Sequence, residues 1–272
     1  MSQGRVVPDP FSPGAFRVVF GSTSHSWVDP DDPERLEFEY VQRIASALEV
    51  TVLTRPPEER IRVVHLGGGG LTLPRWVAFR RPRTAQIVCE PDAELTKEVR
   101  RKIPLPPRSG IKVRDVDART GVSAMPDAYA DATILDAFVG AQVPAELASG
   151  EFFLEVGRCS RPGGVFLANI ADEAPFGWAK RFVSGVISVF RHTAVSAESA
   201  VWKGRRYGNL VLLASGTPLP LVELAREAAG APFPYRVLSG RELNRWLGGA
   251  VPFTDADTIQ SPGPPGGRGW FS

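Results

Sequence analysis

Cysteine and histidine are scarce in this 272-residue chain, at 2 and 3 residues. Cys89 and Cys159 stand in unrelated contexts, which excludes a disulfide framework and a thiolate metal site. His25, His65 and His192 lie far apart without ligand spacing, so no metal is expected. Long apolar runs are lacking too, none approaching the roughly 18 residues that span a bilayer. The opening Met1-Ser2-Gln3-Gly4-Arg5 has no apolar core of a secretory signal. No membrane partner is expected, and the cytoplasm is the default location. Nor is there an excess of charge of one sign, the formal net charge being +2. The densest basic cluster, Arg80, Arg81 and Arg83, reads as a solvated helix end and is too short for a nucleic-acid footprint. No Gly-x-Ser-x-Gly elbow is present, which removes the serine-hydrolase reading.

What remains is ordinary globular material: 43% hydrophobic and 23% charged residues, enough for a sizeable core. Proline and glycine punctuate both ends, so residues 1–14 and 261–272 are expected to lack fixed structure. Residues 15–60 form a small strand and helix region, with strands over Phe16 to Phe20 and Ser24 to Val28. A helix is predicted over Pro33 to Leu48, because Leu36, Tyr40, Ile44 and Leu48 recur on one face. From Ile61 strands and helices alternate. Strands fall at Arg62 to Leu66, Gln86 to Glu90, Ile111 to Arg114, Ala132 to Asp136 and Gly164 to Ile170, each followed by a helical stretch. The alternation predicts an α/β fold, a Rossmann-like and mostly parallel sheet with helices on both faces, over residues 61–216. A terminal hairpin, Thr193 to Ala197 with Asn209 to Ala214, makes the last strand antiparallel. Residues 217–260 are expected to be a helical extension.

The densest functional signal is Arg62-Val63-Val64-His65-Leu66-Gly67-Gly68-Gly69-Gly70, with Gln86-Ile87-Val88-Cys89-Glu90 following. Consecutive glycines after a β-branched run make a tight turn that lets backbone approach a ligand. Glu90, closing the next strand, is placed to accept from two ribose hydroxyls, or to sit at a helix N-terminus, where Asp92 is the better candidate. The turn is not a complete nicotinamide fingerprint, since Thr72 holds the third glycine position. Asp117 either accepts from an exocyclic amine of a purine or caps a short helix. Asp136 ends a buried run and is either a site acid or a turn residue. Tyr40 lines a pocket or packs in the core.

Taken in order, these residues resemble the polyamine aminopropyltransferases, the spermidine synthase family, within the class I S-adenosylmethionine-dependent methyltransferase superfamily. The resemblance runs from about Phe16 to Ser215, through Glu37-Phe38-Glu39-Tyr40, Leu66-Gly67-Gly68-Gly69, Cys89-Glu90-Pro91-Asp92, Leu135-Asp136, Arg161-Pro162-Gly163-Gly164-Val165 and Tyr207-Gly208-Asn209. It implies a transferase of polyamine biosynthesis whose co-substrate is decarboxylated S-adenosylmethionine or S-adenosylmethionine, with a small-molecule amine acceptor and no metal. It implies Gly67, Gly68, Gly69, Glu90 and Asp117 at the nucleoside, Tyr40 at the acceptor and Asp136 as the catalytic base or amine anchor. A homodimer is compatible with these residues.

Two departures stand out. The family's glycine loop ends in an Asp that holds the donor's amine, and here that position is Gly70. Its acceptor loop reads Asp-Ser-Ser-Asp-Pro, and here Asp136-Ala137-Phe138-Val139-Gly140 keeps the first acid and replaces the second with Val139. Ordinary spermidine synthesis from putrescine, a dication, is therefore not expected. The alternatives are an S-adenosylmethionine methyltransferase with a less cationic acceptor and a catalytically silent nucleoside-binding relative.

Overall fold

The computed structural model describes residues 4–21 and 23–265. Three short strands open the chain, β1 (Arg5–Pro8), β2 (Phe16–Phe20) and β3 (Thr23–Val28), and form an antiparallel sheet in that order. Helix α1 (Glu39–Glu49) leads into the alternating region: β4 (Arg62–Leu66), α2 (Thr72–Arg80), β5 (Ala85–Cys89), α3 (Ala93–Lys102), β6 (Ile111–Arg114), α4 (Ala118–Ser123), β7 (Ala130–Leu135), α5 (Gly150–Cys159), β8 (Ser160–Asp172) and α6 (Gly177–Val189). The chain continues through β9 (His192–Glu198), α7 (Ser199–Trp202), β10 (Gly208–Ser215), α8 (Leu221–Gly230), β11 (Tyr235–Ser239) and α9 (Gly240–Leu247). The second sheet has eight strands in the order β11-β9-β10-β8-β7-β4-β5-β6.

From β8 to β6 neighbouring strands are parallel, and β10 runs antiparallel to both β8 and β9. The parallel strands read as continuous apolar runs because both faces are covered; all six residues of β7 are buried. One face packs under α1 and α2, where Tyr40, Ile44 and Leu48 meet Val63, Ile134 and Leu167. The other packs Phe152, Phe153, Phe166 and Phe182 from α5, β8 and α6. Strand order reverses between β4 and β7, and the crevice beyond their carboxyl ends is where such sheets hold ligands. The three-stranded sheet rests on α3, with Val6, Val18 and Val28 against Leu95, Val99 and Ile103, and so overhangs that crevice.

Several expectations need correcting. Of the stretch 1–14, expected to lack fixed structure, residues 1–3 lie outside the described residues and the rest is ordered: β1 pairs with β2 over Arg5 to Pro8, and Val6 is fully buried. The helix predicted from Pro33 begins at Glu39. Leu36 still joins the core, but from a turn whose carbonyl accepts from the Gln42 side chain. The stretch Ala145 to Cys159 is broken, because Ser149 caps α5 by accepting from Phe152 N at 3.2 Å. Residues 217–260 are not only helical, since β11 joins the edge of the large sheet against β9. Residues 261–265 are anchored, with Ser261 fully buried, and the rest of that tail lies outside the described residues.

At the start of α1 the Glu39 carboxyl faces Glu198 at the end of β9, where Arg206 pairs with Glu198. Burial, then the hydrogen bond with Glu198 and its charge, raises Glu39 from its ordinary 4.5 to about 7. The folded state therefore holds a proton that the unfolded chain has released. That contribution to stability is complete below about pH 4.5 and disappears as pH rises through about 7. Glu39→Gln, which keeps a donor at every pH, is expected to melt above the wild type at pH 8 and level with it at pH 5 in thermal unfolding.

Candidate functional site

Strand β4 runs into Gly67, whose φ is +101°. A Cβ there would lie 2.2 Å from the Asp136 carbonyl oxygen, so only glycine lets the ends of β4 and β7 come together. Asp136 N donates to Leu66 O at 2.9 Å across the same junction. Glu90, just past β5, turns back onto this loop: its Oε2 accepts from Gly68 N at 3.0 Å and Gly69 N at 3.1 Å, and its Oε1 from Asp92 N at 3.0 Å. A carboxylate already occupies the loop's N–H groups, so the turn is unsuited to a pyrophosphate. Three of the carboxylate's about four lone-pair sites are thereby used, and Oε1 keeps one for a neutral hydroxyl.

Asp117 caps α4, accepting from Thr120 N at 2.8 Å and Thr120 Oγ1 at 2.7 Å. Those hydrogen bonds hold its carboxyl below the usual carboxylate range. Capping does not remove it from the site, since it also faces the cavity described below.

Asp136 is cradled by two donors. Tyr40 OH donates to its Oδ2 at 3.2 Å and Asn169 Nδ2 to its Oδ1 at 2.9 Å. Asn169 Oδ1 in turn accepts from Asn209 Nδ2 at 2.9 Å, and the Asn209 carbonyl accepts from Arg43 at 3.4 Å. Burial pushes the Asp136 carboxyl above its ordinary value, while the bonds from Asn169 and Tyr40 pull the other way. Tyr40 is thus both core and site: its ring packs with α1 while its hydroxyl reaches the carboxylate. Sequence reasoning missed Asn169 and the role of Asn209. Their signal was an asparagine inside an otherwise apolar strand, a costly placement unless its amide is fully bonded.

Gly67, Gly68, Gly69, Glu90, Asp117, Asp136 and Tyr40 all line one cavity of about 780 Å³. Glu37, Asp92 and Glu146 bring its acids to six, and no lysine or arginine is among its described lining residues. The three-stranded sheet contributes Phe20, His25 and Trp27 as a lid. Ser26 accepts from Gly70 N at 3.1 Å, and a Cβ on Gly70 would meet Val28 Cγ2 at 2.8 Å. The space for an acid at that position is taken by β3. Val139, in the loop after β7, is 55% exposed. Among the described residues no group of three or more His, Cys, Asp or Glu is arranged to hold a metal, and no helix is long and apolar enough to cross a membrane.

This geometry has relatives. The chain is 27% identical over 206 residues to a polyamine aminopropyltransferase from Vibrio vulnificus, covering 75% of this chain and 64% of that one. It therefore spans less than two thirds of that curated relative's length. A crystal structure of a probable spermidine synthase from Corynebacterium glutamicum superposes with a TM-score of 0.86 at 29% identity, covering 96% of this chain and 99% of that one. The chain shares the spermidine synthase fold. Human methyltransferase-like protein 13, in complex with SAH, shares the fold more distantly, at TM-score 0.57 and 20% identity over 80% of this chain and 96% of that one. No protein-family model matches the chain. The resemblance to the polyamine aminopropyltransferases thus stands, and the methyltransferase-like neighbour shares the fold.

The end of the described chain closes the cavity from the side of the β7 loop. Ser261 N donates to Val143 O at 3.1 Å, and Val143 N donates to Ser261 Oγ at 2.8 Å. Gln142 donates to the Ser261 carbonyl and Tyr207 OH to Pro262 O at 3.0 Å, which sets Gly263 and Pro264 into the cavity wall. Ser261→Ala strands the buried Val143 N–H, and such a loss costs about 1–3 kcal/mol. Urea unfolding is expected to register that loss; unchanged stability would show that the tail does not hold the loop.

Proposed function

We propose that the chain is an aminopropyltransferase-like enzyme. A small amine nitrogen attacks the carbon beside the sulfonium of decarboxylated S-adenosylmethionine, the carbon–sulfur bond breaks with its electron pair going to sulfur, and methylthioadenosine leaves. Six carboxylates in the cavity wall, with no lysine or arginine among its described lining residues, carry this reading. A sulfonium and an ammonium are welcome there, whereas the α-carboxylate of S-adenosylmethionine meets carboxylates and no cationic side chain. A like-charge pair about 4 Å apart costs ~1–4 kcal/mol between bulk water and a protein surface. That difference favours the decarboxylated donor over a methyltransferase reaction.

In this reading the free lone pair on Glu90 Oε1 takes a ribose hydroxyl, Asp117 takes the adenine amine, and bare Gly67 to Gly69 backbone lets the nucleoside lie close to the sheet. Asp136 receives the attacking nitrogen. Its raised pKa suits it to accept a proton, and Tyr40 and Asn169 fix the direction of its lone pairs. The enzyme's contribution is alignment, exclusion of water under the β2–β3 hairpin, and removal of the amine's proton.

Two variants separate binding from chemistry. Glu90→Ala removes a charge-assisted hydrogen bond worth roughly 1.5–3 kcal/mol, so calorimetry is expected to show methylthioadenosine affinity falling at least tenfold in a folded protein. Asp136→Asn is expected to keep nucleoside affinity while turnover drops about 10²–10⁴-fold. A fully active Asp136→Asn, or a Glu90→Ala that binds as tightly as wild type, contradicts the assignment of that residue.

A further inference from the structure

The most deeply buried part of the cavity differs in chemistry from its mouth. It lies between the large sheet and helices α1 and α2, where the buried Val41, Leu73, Pro74 and Ile134 line it together with the imidazole of His65. Strands β4 and β7 pair His65 with Ile134, so both face the α1 side of the sheet, as does Asp136 two residues further on. His65 therefore stands one strand across from Asp136 and one pleat deeper. It is 2% exposed.

Gln86 sets the tautomer of His65. The Gln86 amide nitrogen donates to Pro74 O at 2.9 Å, which leaves its Oε1 facing His65 Nε2 at 2.8 Å. Nε2 thus carries the proton and Nδ1 is a bare acceptor. Among the described residues Nδ1 has no partner in the protein, and it is not one of the polar atoms shut away from open space, so it opens onto the cavity. Burial, against the Gln86 hydrogen bond, lowers the imidazole to about 4, so it stays neutral at neutral pH.

A second ammonium finds no carboxylate among Val41, Leu73, Pro74 and Ile134, and β3 fills the space beside Gly70. Burying a charge against an apolar wall without a counter-ion is costly, whereas a hydroxyl needs only one acceptor. We infer that the acceptor is a short aliphatic amine with a single ammonium and an uncharged hydroxyl at its far end, the ammonium held at Asp136 and the hydroxyl donating to His65 Nδ1. This inference rests on the transferase reading above and deepens it.

The test is calorimetric titration of the protein, saturated with methylthioadenosine, with three matched four-carbon ligands: aminobutanol, butylamine and putrescine. Aminobutanol is expected to bind about 3–10-fold tighter than butylamine, the gain from one neutral hydrogen bond, and tighter than putrescine. In His65→Leu and His65→Phe, checked for wild-type melting, aminobutanol and butylamine are expected to bind equally while methylthioadenosine affinity is unchanged. Putrescine binding tightest to wild type, equal wild-type affinities, or a preference that survives in a folded His65 variant would each overturn the inference while leaving the nucleoside site standing. A protein that binds no methylthioadenosine overturns the transferase reading and this inference together. The wild-type ranking decides by itself if neither variant folds.

Discussion

No side chain fits between the carboxyl ends of β4 and β7. Gly67 stands with its backbone in a conformation L-residues rarely adopt, its missing Cβ 2.2 Å from the Asp136 carbonyl. The rest of the site follows from that contact. Because the strands meet there, Asp136 N reaches Leu66 O, and the Asp136 carboxylate emerges beside the glycine loop instead of further out along its own loop. Because the loop is bare, Glu90 reaches across from β5 to hold two of its N–H groups. One steric constraint thus brings two acids from different strands to the edge of a single crevice.

The charge of the crevice contrasts with that of the molecule. A chain of formal net charge +2 keeps arginine and lysine out of a cavity lined by six acids. Arginines near the site are turned away into structural work: Arg43 binds the carbonyls of Ser196 and Asn209 behind α1, and Arg119 pairs with Asp255 outside. Concentrating one sign of charge beneath a lid of Phe20, His25 and Trp27 raises the local field that attracts a cation. The amide chain from Asn209 through Asn169 to Asp136 keeps the deepest of these carboxylates in one orientation. Fully bonded buried networks of this kind are rigid.

The parallel core was legible because period and punctuation agree there. Arg62 to Leu66, a buried β-branched run, and Ile111 to Arg114, an alternating Ile-Lys-Val-Arg segment, match the expected strands residue for residue, each lying between turn residues. The glycine loop, Glu90 and Asp136 were legible because each directly follows such a run. Less legible were elements whose partners are distant in sequence. The β1 strand is a four-residue segment ending in proline, and only its pairing with β2 and its packing on α3 give it order. Strand β11 looks like a linker until β9 offers it an edge. Asn169 and Asn209 show only as asparagines inside apolar strands, since their meaning is a hydrogen bond across 40 residues of chain. The Pro33 start of α1 was misplaced because Leu36 keeps the helical period while lying outside the helix.

The claim at the centre of this account is that an acid-lined cavity selects an adenosyl sulfonium lacking a carboxylate. Parallel calorimetric titrations with decarboxylated S-adenosylmethionine, S-adenosylmethionine and methylthioadenosine test it directly. Decarboxylated S-adenosylmethionine is predicted to bind tightest and to lose affinity as salt is raised, with methylthioadenosine nearly indifferent to salt and S-adenosylmethionine the weaker of the two sulfoniums. S-adenosylmethionine binding tightest would contradict the account and point to methyl transfer.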